Sequence, residues 1–182
     1  LDKEAKKLGI ELVAIRSNFT DTVFSENTEA EFTRFYDKLR QTDTLPVSSQ
    51  PSPAEFLELF EDAKEKQEEV VVITISSKLS GTYNGAMLAK DMAEYDNIYV
   101  VDSLLASLSE RLLVEYAVKL RDAGMGAKEL VQKLEQDRER VILTGVPSTL
   151  LYLKMGGRIS PVVAAVGGVI GIKPVLWLKD GV

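Results

Sequence analysis

The sequence predicts an α/β fold: a parallel sheet with helices on both faces. Short apolar runs alternate along the chain with longer segments in which apolar residues recur at helical spacing, and this alternation is typical of strand-helix-strand units with right-handed crossovers. One run, residues 70–75, consists entirely of apolar or β-branched residues. Such a continuous pattern indicates a strand that is buried on both faces.

The expected strands are the short apolar runs. They are residues 10–15, 70–75, 98–101, 141–146 and 172–178. The last of these contains Pro174, which cannot donate a hydrogen bond to a neighbouring strand. We therefore expect that proline at a sheet edge or at the start of its strand.

The expected helices lie between these strands. They are residues 28–40, 52–66, 82–95, 104–123 and 127–137. The clearest helix start is at Ser52, because Pro53 then occupies the first helical position and Glu55 the third. Serine followed three residues later by glutamate is the signature of a capping box, and proline is well tolerated at the first position.

The charged helix that ends near residue 140 gives the expected domain boundary. We predict that residues 1–140 form one α/β domain and that residues 141–182 form the start of a second. The later segment is rich in glycine and poor in charge. Its length is too short for an independent hydrophobic core.

Composition excludes several classes of function. The chain has 182 residues, with 22 Lys+Arg against 28 Asp+Glu, and a net negative charge disfavours nucleic-acid binding. It contains no cysteine and no histidine, which excludes thiolate catalysis, a Ser-His-Asp triad and a Cys- or His-ligated metal within this chain. No cofactor or metal site is predicted. Neither a signal peptide nor an apolar run long enough to span a membrane is visible, so a cytoplasmic protein is expected.

Hydroxyl-rich loops stand where α/β proteins bind ligands. Residues 46–52 precede the capped helix, residues 76–82 follow the strand at 70–75, and Asp102 and Ser103 follow the next strand. Strand carboxyl ends and helix N-termini offer unpaired N–H groups to anions. The loops therefore predict a site for one anionic head group, although serine and threonine are also ordinary helix caps. A nucleoside triphosphate or a dinucleotide is not expected, since the glycine-rich patterns for them are absent.

A glycine pair and an all-apolar segment follow near the end of the chain. Gly156 and Gly157 precede Arg158, and residues 162–170 are apolar on every side of a helix. Such a helix is either buried in a core or lines an apolar cavity, and Arg158 could equally form a surface ion pair. In the cavity case, a ~16-carbon tail could contribute on the order of 12 kcal/mol before losses.

From about residue 45 onward the motifs resemble those of the DegV family, in the family's order and spacing. They are SSQPSP at 48–53, SSKLSGTY at 76–83, VDS at 101–103, GGRIS at 156–160 and IKPVL at 172–176. The family's first strand, which ends in Thr-Asp-Ser, does not appear before residue 1, and family members continue beyond a KDG turn like residues 179–181. The resemblance implies a bacterial, cytoplasmic carrier of long-chain fatty acids. Such a carrier is not itself an enzyme, and in some bacteria it presents the acid to a fatty acid kinase for phospholipid synthesis.

The resemblance also implies a set of site residues. The family's carboxylate contacts match Ser48, which stands in place of a threonine, and Ser80 or Ser77. The expected head-group site also includes Ser49 and Gly81. Gly157 and Arg158 are expected behind the head group or at a surface that contacts a partner. Further residues are expected to line an acyl tunnel. The expected tunnel residues are Val162, Ala165, Val166, Val169 and Ile170, and the positions of Gly157 and Arg158 are those of the GGRIS motif.

Two other functions stay open on the sequence alone. One is an enzyme acting on small phosphorylated or carboxylated molecules through Lys78, Tyr83 or Asp102, which would require a base with a shifted pKa in the pocket. The other is a regulatory interaction domain in which the apolar helix is a docking face.

Overall fold

The computed structural model describes residues 2–24, 28–42, 44–160 and 173–182. The helices are α1 (Asp2–Leu8), α2 (Glu29–Gln41), α3 (Pro53–Glu65), α4 (Thr82–Ala93), α5 (Leu108–Asp122), α6 (Ala127–Asp137) and α7 (Leu151–Met155), with a 3-10 turn at Arg138–Arg140. The strands are β1 (Arg16–Asn18), β2 (Val23–Phe24), β3 (Val47–Ser49), β4 (Val70–Thr74), β5 (Ile98–Asp102), β6 (Leu143–Gly145) and β7 (Leu176–Leu178). None of the helices in these ranges has the length and apolar character needed to cross a bilayer.

A parallel pair of strands, β4 and β5, forms the centre of the fold. Val70 lies opposite Ile98 and Thr74 opposite Asp102. Alternate residues of a strand point to opposite faces, and both faces of this pair are covered. One face packs on α3 and α4, and the other on α5 and α6. The α/β class, a strand within residues 70–75 and the helices on both faces are thereby confirmed; in that strand Thr74 is buried and residues 70–73 are half-buried.

The two faces carry separate hydrophobic clusters. The buried members on the α3–α4 side are Phe56, Phe60, Ala86, Ala89, Ala93 and Ile98. Those on the α5–α6 side are Val101, Leu105, Leu113, Ala117, Leu130 and Leu134. The alanines of α4 let α3 approach closely, and Lys64 of α3 donates to the Ala93 carbonyl at 2.6 Å. That bond satisfies one of the carbonyls that a helix C-terminus leaves unpaired.

The expected strand at residues 10–15 is wrong. These residues form an extended connection without strand pairing, and the first strand begins at Arg16. Their apolar side chains pack singly: Val13 contacts the α3–α4 cluster, while Leu12 and Ile15 are exposed. An apolar run of this length therefore reflects local contacts rather than pairing in a sheet.

An antiparallel sheet that the sequence did not predict stands beside the parallel pair. Its strand order is β2-β1-β3, with Ser17 opposite Ser48 in the β1–β3 pair. The sheet packs on α2 through edge-to-face contacts among Phe19, Phe24 and Phe35, whose ring centroids lie 5.4–5.8 Å apart.

Other boundaries differ in detail. The structure confirms α6 at the predicted residues, but α5 begins at Leu108 rather than at residue 104, because Leu104 and Ser107 have φ of 55° and 57°. Such angles cannot continue a right-handed helix. In the later segment β6 and β7 pair antiparallel, and Pro174 lies outside the strand. The domain boundary at residue 140 stays a prediction.

Glu55 joins the antiparallel sheet to α3. Arg16 of β1 donates from Nη1 to Glu55 Oε2 at 3.0 Å and from Nη2 to Oε1. The N–H and Oγ of Ser52 also donate to Oε2, at 2.8 and 2.9 Å, so Glu55 reaches back to the predicted N-cap. The hydrogen bonds from Arg16, followed by those from Ser52, lower the pKa of Glu55 to about 2.

We expect Glu55→Gln to lower the Tm by about 2–4 °C at pH 7, a modest effect because the pair is partly exposed. The lowered pKa of Glu55 means that its contribution is complete above pH 4.5 and is lost as the pH falls toward about 2. The Tm difference between wild type and variant should therefore close over that interval. Thermal unfolding followed by circular dichroism from pH 7 to pH 2 measures it, and an unchanged difference at pH 2 would contradict the assignment.

Candidate functional site

The loop that follows β4, residues 76–81, is a tight and well-bonded turn. Its first residue, Ser76, is fully buried. The Ser76 carbonyl accepts hydrogen bonds from the N–H groups of Leu79 and Ser80, at 3.0 and 3.1 Å, and the Ser76 N–H donates to the Leu105 carbonyl at 2.8 Å. We call residues 76–81 the head-group loop, because they include the serines that the sequence assigned to an anionic head group.

Asp102, the last residue of β5, joins the head-group loop to the loop that follows β5. Its Oδ1 accepts from the N–H of Ser77 at 3.0 Å and from the N–H of Leu104 at 3.1 Å. Because the carboxyl ends of parallel strands meet at one edge of a sheet, a single carboxylate can hold both loops. Ser77, one of the predicted contacts, is thus tied to Asp102 through its backbone.

Ser80 and Thr82 place two hydroxyl groups at the start of α4. Their side-chain oxygens lie 2.8 Å apart, and the Thr82 N–H donates to Ser80 Oγ at 3.3 Å. Ser80 is half-buried, whereas Thr82 is buried. The partial positive charge of a helix N-terminus favours an anion at this position, and neutral hydroxyls can orient it without a counter-charge.

Gln50 brings the second hydroxyl-rich loop to the head-group loop. Its side chain lies directly over Gly81: a Cβ atom at Gly81 would stand 2.1 Å from Gln50 Oε1. The close approach explains why a glycine is needed between Ser80 and α4. The loop after β3 and the loop after β4 therefore meet at Gln50 and Gly81.

The predicted residues before Gln50 lie on β3. The side chain of Ser48 is exposed, and that of Ser49 is half-buried, with its Oγ accepting from Asn18 Nδ2 at 3.3 Å. In this arrangement Ser49 contributes to the antiparallel sheet. Ser48 has a free approach from solvent, and its role as a head-group contact stays a prediction.

Arg158 contacts the head-group loop from the later segment. Its Nη2 donates to the Leu79 carbonyl at 3.2 Å, and its Nη1 to the Gly156 carbonyl. The intervening Gly157 has φ of 72°, which folds the chain back toward this loop. The five expected tunnel residues, Val162, Ala165, Val166, Val169 and Ile170, lie outside the described residues.

The KDG turn contacts the head-group loop as well. Ser76 Oγ donates to the Gly181 carbonyl at 2.7 Å, and Lys78 Nζ donates to the Asp180 carbonyl at 2.7 Å. From the sequence, Gln50, Ser76 and Thr82 were members of the hydroxyl-rich loops without a contact of their own, and Gly181 had no part in the site. The signal that could have found them is glycine itself, because Gly81 and Gly181 both stand where a neighbouring side chain occupies the place of a Cβ.

A cavity of about 530 Å³ lies elsewhere, between the β1–β2 hairpin and α2. Its lining includes Phe19 and Phe24, and it shares no residue with the head-group loop. Lys38, its most enclosed cation, already donates to Asp21 and Thr22. Across residues 2–24, 28–42, 44–160 and 173–182, no three acidic side chains come close enough to hold a metal ion.

Fold and loops together define a class: an α/β protein with hydroxyl-rich loops at the carboxyl edge of its parallel strands. The model of one family, "Uncharacterised protein, DegV family", matches residues 1–182. A DegV domain-containing protein of Caldanaerobacter subterraneus is 33% identical over 176 residues, which cover 97% of this chain and 62% of that protein. The chain belongs to the DegV family.

Solved structures superpose on all or nearly all of the fold. A DegV family protein from Thermus thermophilus, described by its fatty acid binding, has a TM-score of 0.86 at 33% identity and covers 100% of this chain. A stearic acid-binding protein from Eubacterium ventriosum has a TM-score of 0.85 at 29% identity and also covers 100%. The Streptococcus pneumoniae Fatty Acid Kinase (Fak) B3 protein, loaded with linoleic acid, has a TM-score of 0.82 at 30% identity and covers 93%. This chain spans 64%, 64% and 60% of their respective lengths, which is less than two thirds of each.

Proposed function

We propose that this chain is part of a carrier of long-chain fatty acids. The carboxylate is bound at the head-group loop and the start of α4, by the hydroxyls of Ser80 and Ser48 and by backbone N–H groups near Ser77 and Gly81. The observation that carries the proposal is the Ser80–Thr82 hydroxyl pair at the N-terminus of α4. It occurs in a family whose solved members include proteins described as binding fatty acids.

The charges around the head-group loop support a carrier rather than an enzyme. Lys78 Nζ donates to the Asp180 carbonyl. Asp102 Oδ1 accepts two hydrogen bonds, both from backbone N–H groups. Residues engaged in this way hold the loop together and are poorly placed to exchange protons with a ligand. A site of neutral donors binds the carboxylate and can release it again, which is what a carrier requires.

The acyl chain is proposed to lie along the apolar segment at 162–170. Its sequence is apolar at every position, and each buried methylene of the ligand would contribute about 0.8 kcal/mol. Most of the affinity would then come from the tail, while the hydroxyls orient the head. On this proposal the protein works in the bacterial cytoplasm and presents its acid to a fatty acid kinase, as the likeness to the Fak B3 protein suggests.

Native mass spectrometry of the full-length protein tests the carrier function. We expect an acyl chain to co-purify, or palmitate or oleate to be taken up one to one by the delipidated protein. Hexadecanol and hexadecane are the controls, because they offer the apolar tail of palmitate without its carboxylate. A protein that neither retains nor takes up any fatty acid would refute the proposal.

We expect Ser80→Ala to weaken fatty-acid binding about tenfold, because it removes one hydrogen bond to a charged group. The alcohol of the same chain length should lose much less, since it lacks the charge that the hydroxyl stabilises. Titration calorimetry on the delipidated protein measures both affinities. Ser148→Ala, at an exposed serine, is the control, and an equal effect of the two substitutions would place the head group elsewhere.

A further inference from the structure

The turn at residues 179–182 is bonded to the head-group loop although it lies far away in the sequence. The turn is closed by two backbone hydrogen bonds between Lys179 and Val182, at 2.9 and 3.1 Å. From the head-group loop, Ser76 Oγ donates to the Gly181 carbonyl and Lys78 Nζ to the Asp180 carbonyl, each at 2.7 Å.

Ser76 connects the turn to the rest of the head-group loop through further hydrogen bonds. Besides donating to Gly181, its Oγ accepts from the Lys78 N–H at 3.3 Å. Its carbonyl accepts from the Ser80 N–H at 3.1 Å. Since Ser76 is fully buried, a shift of the Gly181 carbonyl would move the residue on which the position of Ser80 depends.

Gly181 fits the loop with no space to spare. It is buried, with φ of 89°, and a Cβ atom there would stand 2.6 Å from Ser76 Oγ and 3.1 Å from Leu104 Cδ2. Contacts under 3.0 Å require something to move. The turn therefore fits against the head-group loop only with glycine at this position.

Two cationic side chains link the later segment to the head-group loop, one donated by each of the two. Lys78 of the loop donates to a carbonyl of the turn, while Arg158 of the later segment donates to the Leu79 carbonyl of the loop. Both bonds go to backbone atoms. Such bonds fix the path of the chain whatever side chains surround it.

We propose that the 179–182 turn is a positioning element for the head-group loop: it holds Ser76, and through it Ser80, in the geometry that receives the fatty-acid carboxylate. The proposal rests on the proposed function for its ligand. It assigns positioning roles to Gly181, Ser76 and Lys78, none of which is required to touch the fatty acid. Removing the turn's contact then lowers affinity by letting the serines move.

The test compares Gly181→Ala with Gly124→Ala in the full-length protein. Both glycines have φ of 89°, but a Cβ atom at Gly124 would meet nothing within 4 Å. The two variants carry the same backbone penalty, and only the first disturbs the head-group loop. We expect Gly181→Ala to weaken oleate binding about tenfold and Gly124→Ala to change it less than about twofold.

A second readout needs no ligand. Hydrogen exchange of the amides of residues 78–82 should be faster in delipidated Gly181→Ala than in Gly124→Ala, because the turn no longer holds the loop. Equal affinities and equal exchange rates in the two variants would overturn the proposal. If the wild type binds no fatty acid, the carrier function fails, and the exchange rates alone decide on the positioning role.

A milder variant covers the case in which Gly181→Ala does not fold. Lys78→Met keeps the aliphatic part of the side chain and removes only the bond to the Asp180 carbonyl. It should speed the exchange of the same amides and weaken oleate binding by about threefold. Lys66→Met, which removes an exposed lysine paired with Asp62, is its control, and equal behaviour of the two lysine variants would also overturn the proposal.

Discussion

Asp102→Ala is expected to lower the free energy of unfolding by about 2–4 kcal/mol, because it removes two hydrogen bonds to a charged acceptor. The Asp102 carboxylate accepts from the N–H groups of Ser77 and Leu104. Both strand-end loops should therefore loosen together.

The increased mobility of the head-group loop in Asp102→Ala should also weaken fatty-acid binding. Ser77 is the second residue of the head-group loop, so we expect oleate binding by Asp102→Ala to weaken along with stability. Asp102→Asn is the matched control, since its remaining side-chain oxygen can still accept from both N–H groups, and it should retain most of the stability. Urea unfolding measures both variants, and an alanine variant as stable as the asparagine variant would contradict this role of Asp102.

Glu110→Gln is expected to stabilise the protein at pH 8, by at most about 3 kcal/mol. Glu110 lies in the first turn of α5, where burial raises its pKa to about 7. Among the residues that the structure describes, no cation or hydrogen-bond donor compensates that burial. Glutamine keeps the shape of the side chain and removes the charge that folding must desolvate.

The sign of the pH dependence follows from the raised pKa of Glu110. Below pH 4.5 the carboxyl group is protonated in both the folded and the unfolded protein, so wild type and variant should be equally stable. As the pH rises toward 7, the unfolded chain loses the proton first, and the wild type becomes progressively less stable than the variant. Above pH 7 the difference should stay constant.

Thermal or urea unfolding at pH 4, 6 and 8 measures this difference. Glu129 occupies the first turn of α6 and is exposed, so Glu129→Gln removes the same charge from a solvated position. It should change stability by less than about 0.5 kcal/mol at each pH. A Glu110→Gln variant that is no more stable than wild type at pH 8 would show that the carboxylate is solvated.

The sequence predicted the elements that carry a strong local signal. The run at 70–75 predicted a strand covered on both faces because it is continuously apolar or β-branched, and Ser52, Pro53 and Glu55 predicted the start of α3 because their chemistry is local. The three-stranded sheet could not be predicted in this way. Its strands have two or three residues each, too few to show alternation, and their pairing depends on contacts made by α2 and Glu55.

In the candidate site, too, the features with a local sequence signal were predicted and the contacts between distant residues were not. The two hydroxyl-rich loops were found from the sequence because serines cluster just before the predicted helix start at residue 52, and serine, threonine and glycine cluster after the predicted strand at 70–75. What joins them was not found: the Gln50 side chain over Gly81, and the Gly181 carbonyl against Ser76, are contacts between residues that no local pattern connects. The left-handed residues Leu104 and Ser107, which delay the start of α5, likewise leave no signature in the helical spacing of the sequence.

The hydrogen bond from Ser76 to Gly181 spans 105 positions of the chain, and contacts of such separation form late in folding because the intervening chain must first be ordered. During synthesis the N-terminal part can begin to fold while the ribosome is still adding residues, but the serines of the head-group loop acquire their final support only once Gly181 has left the exit tunnel. If the proposed function holds, the nascent chain would be unable to bind free fatty acid before the supporting turn is in place.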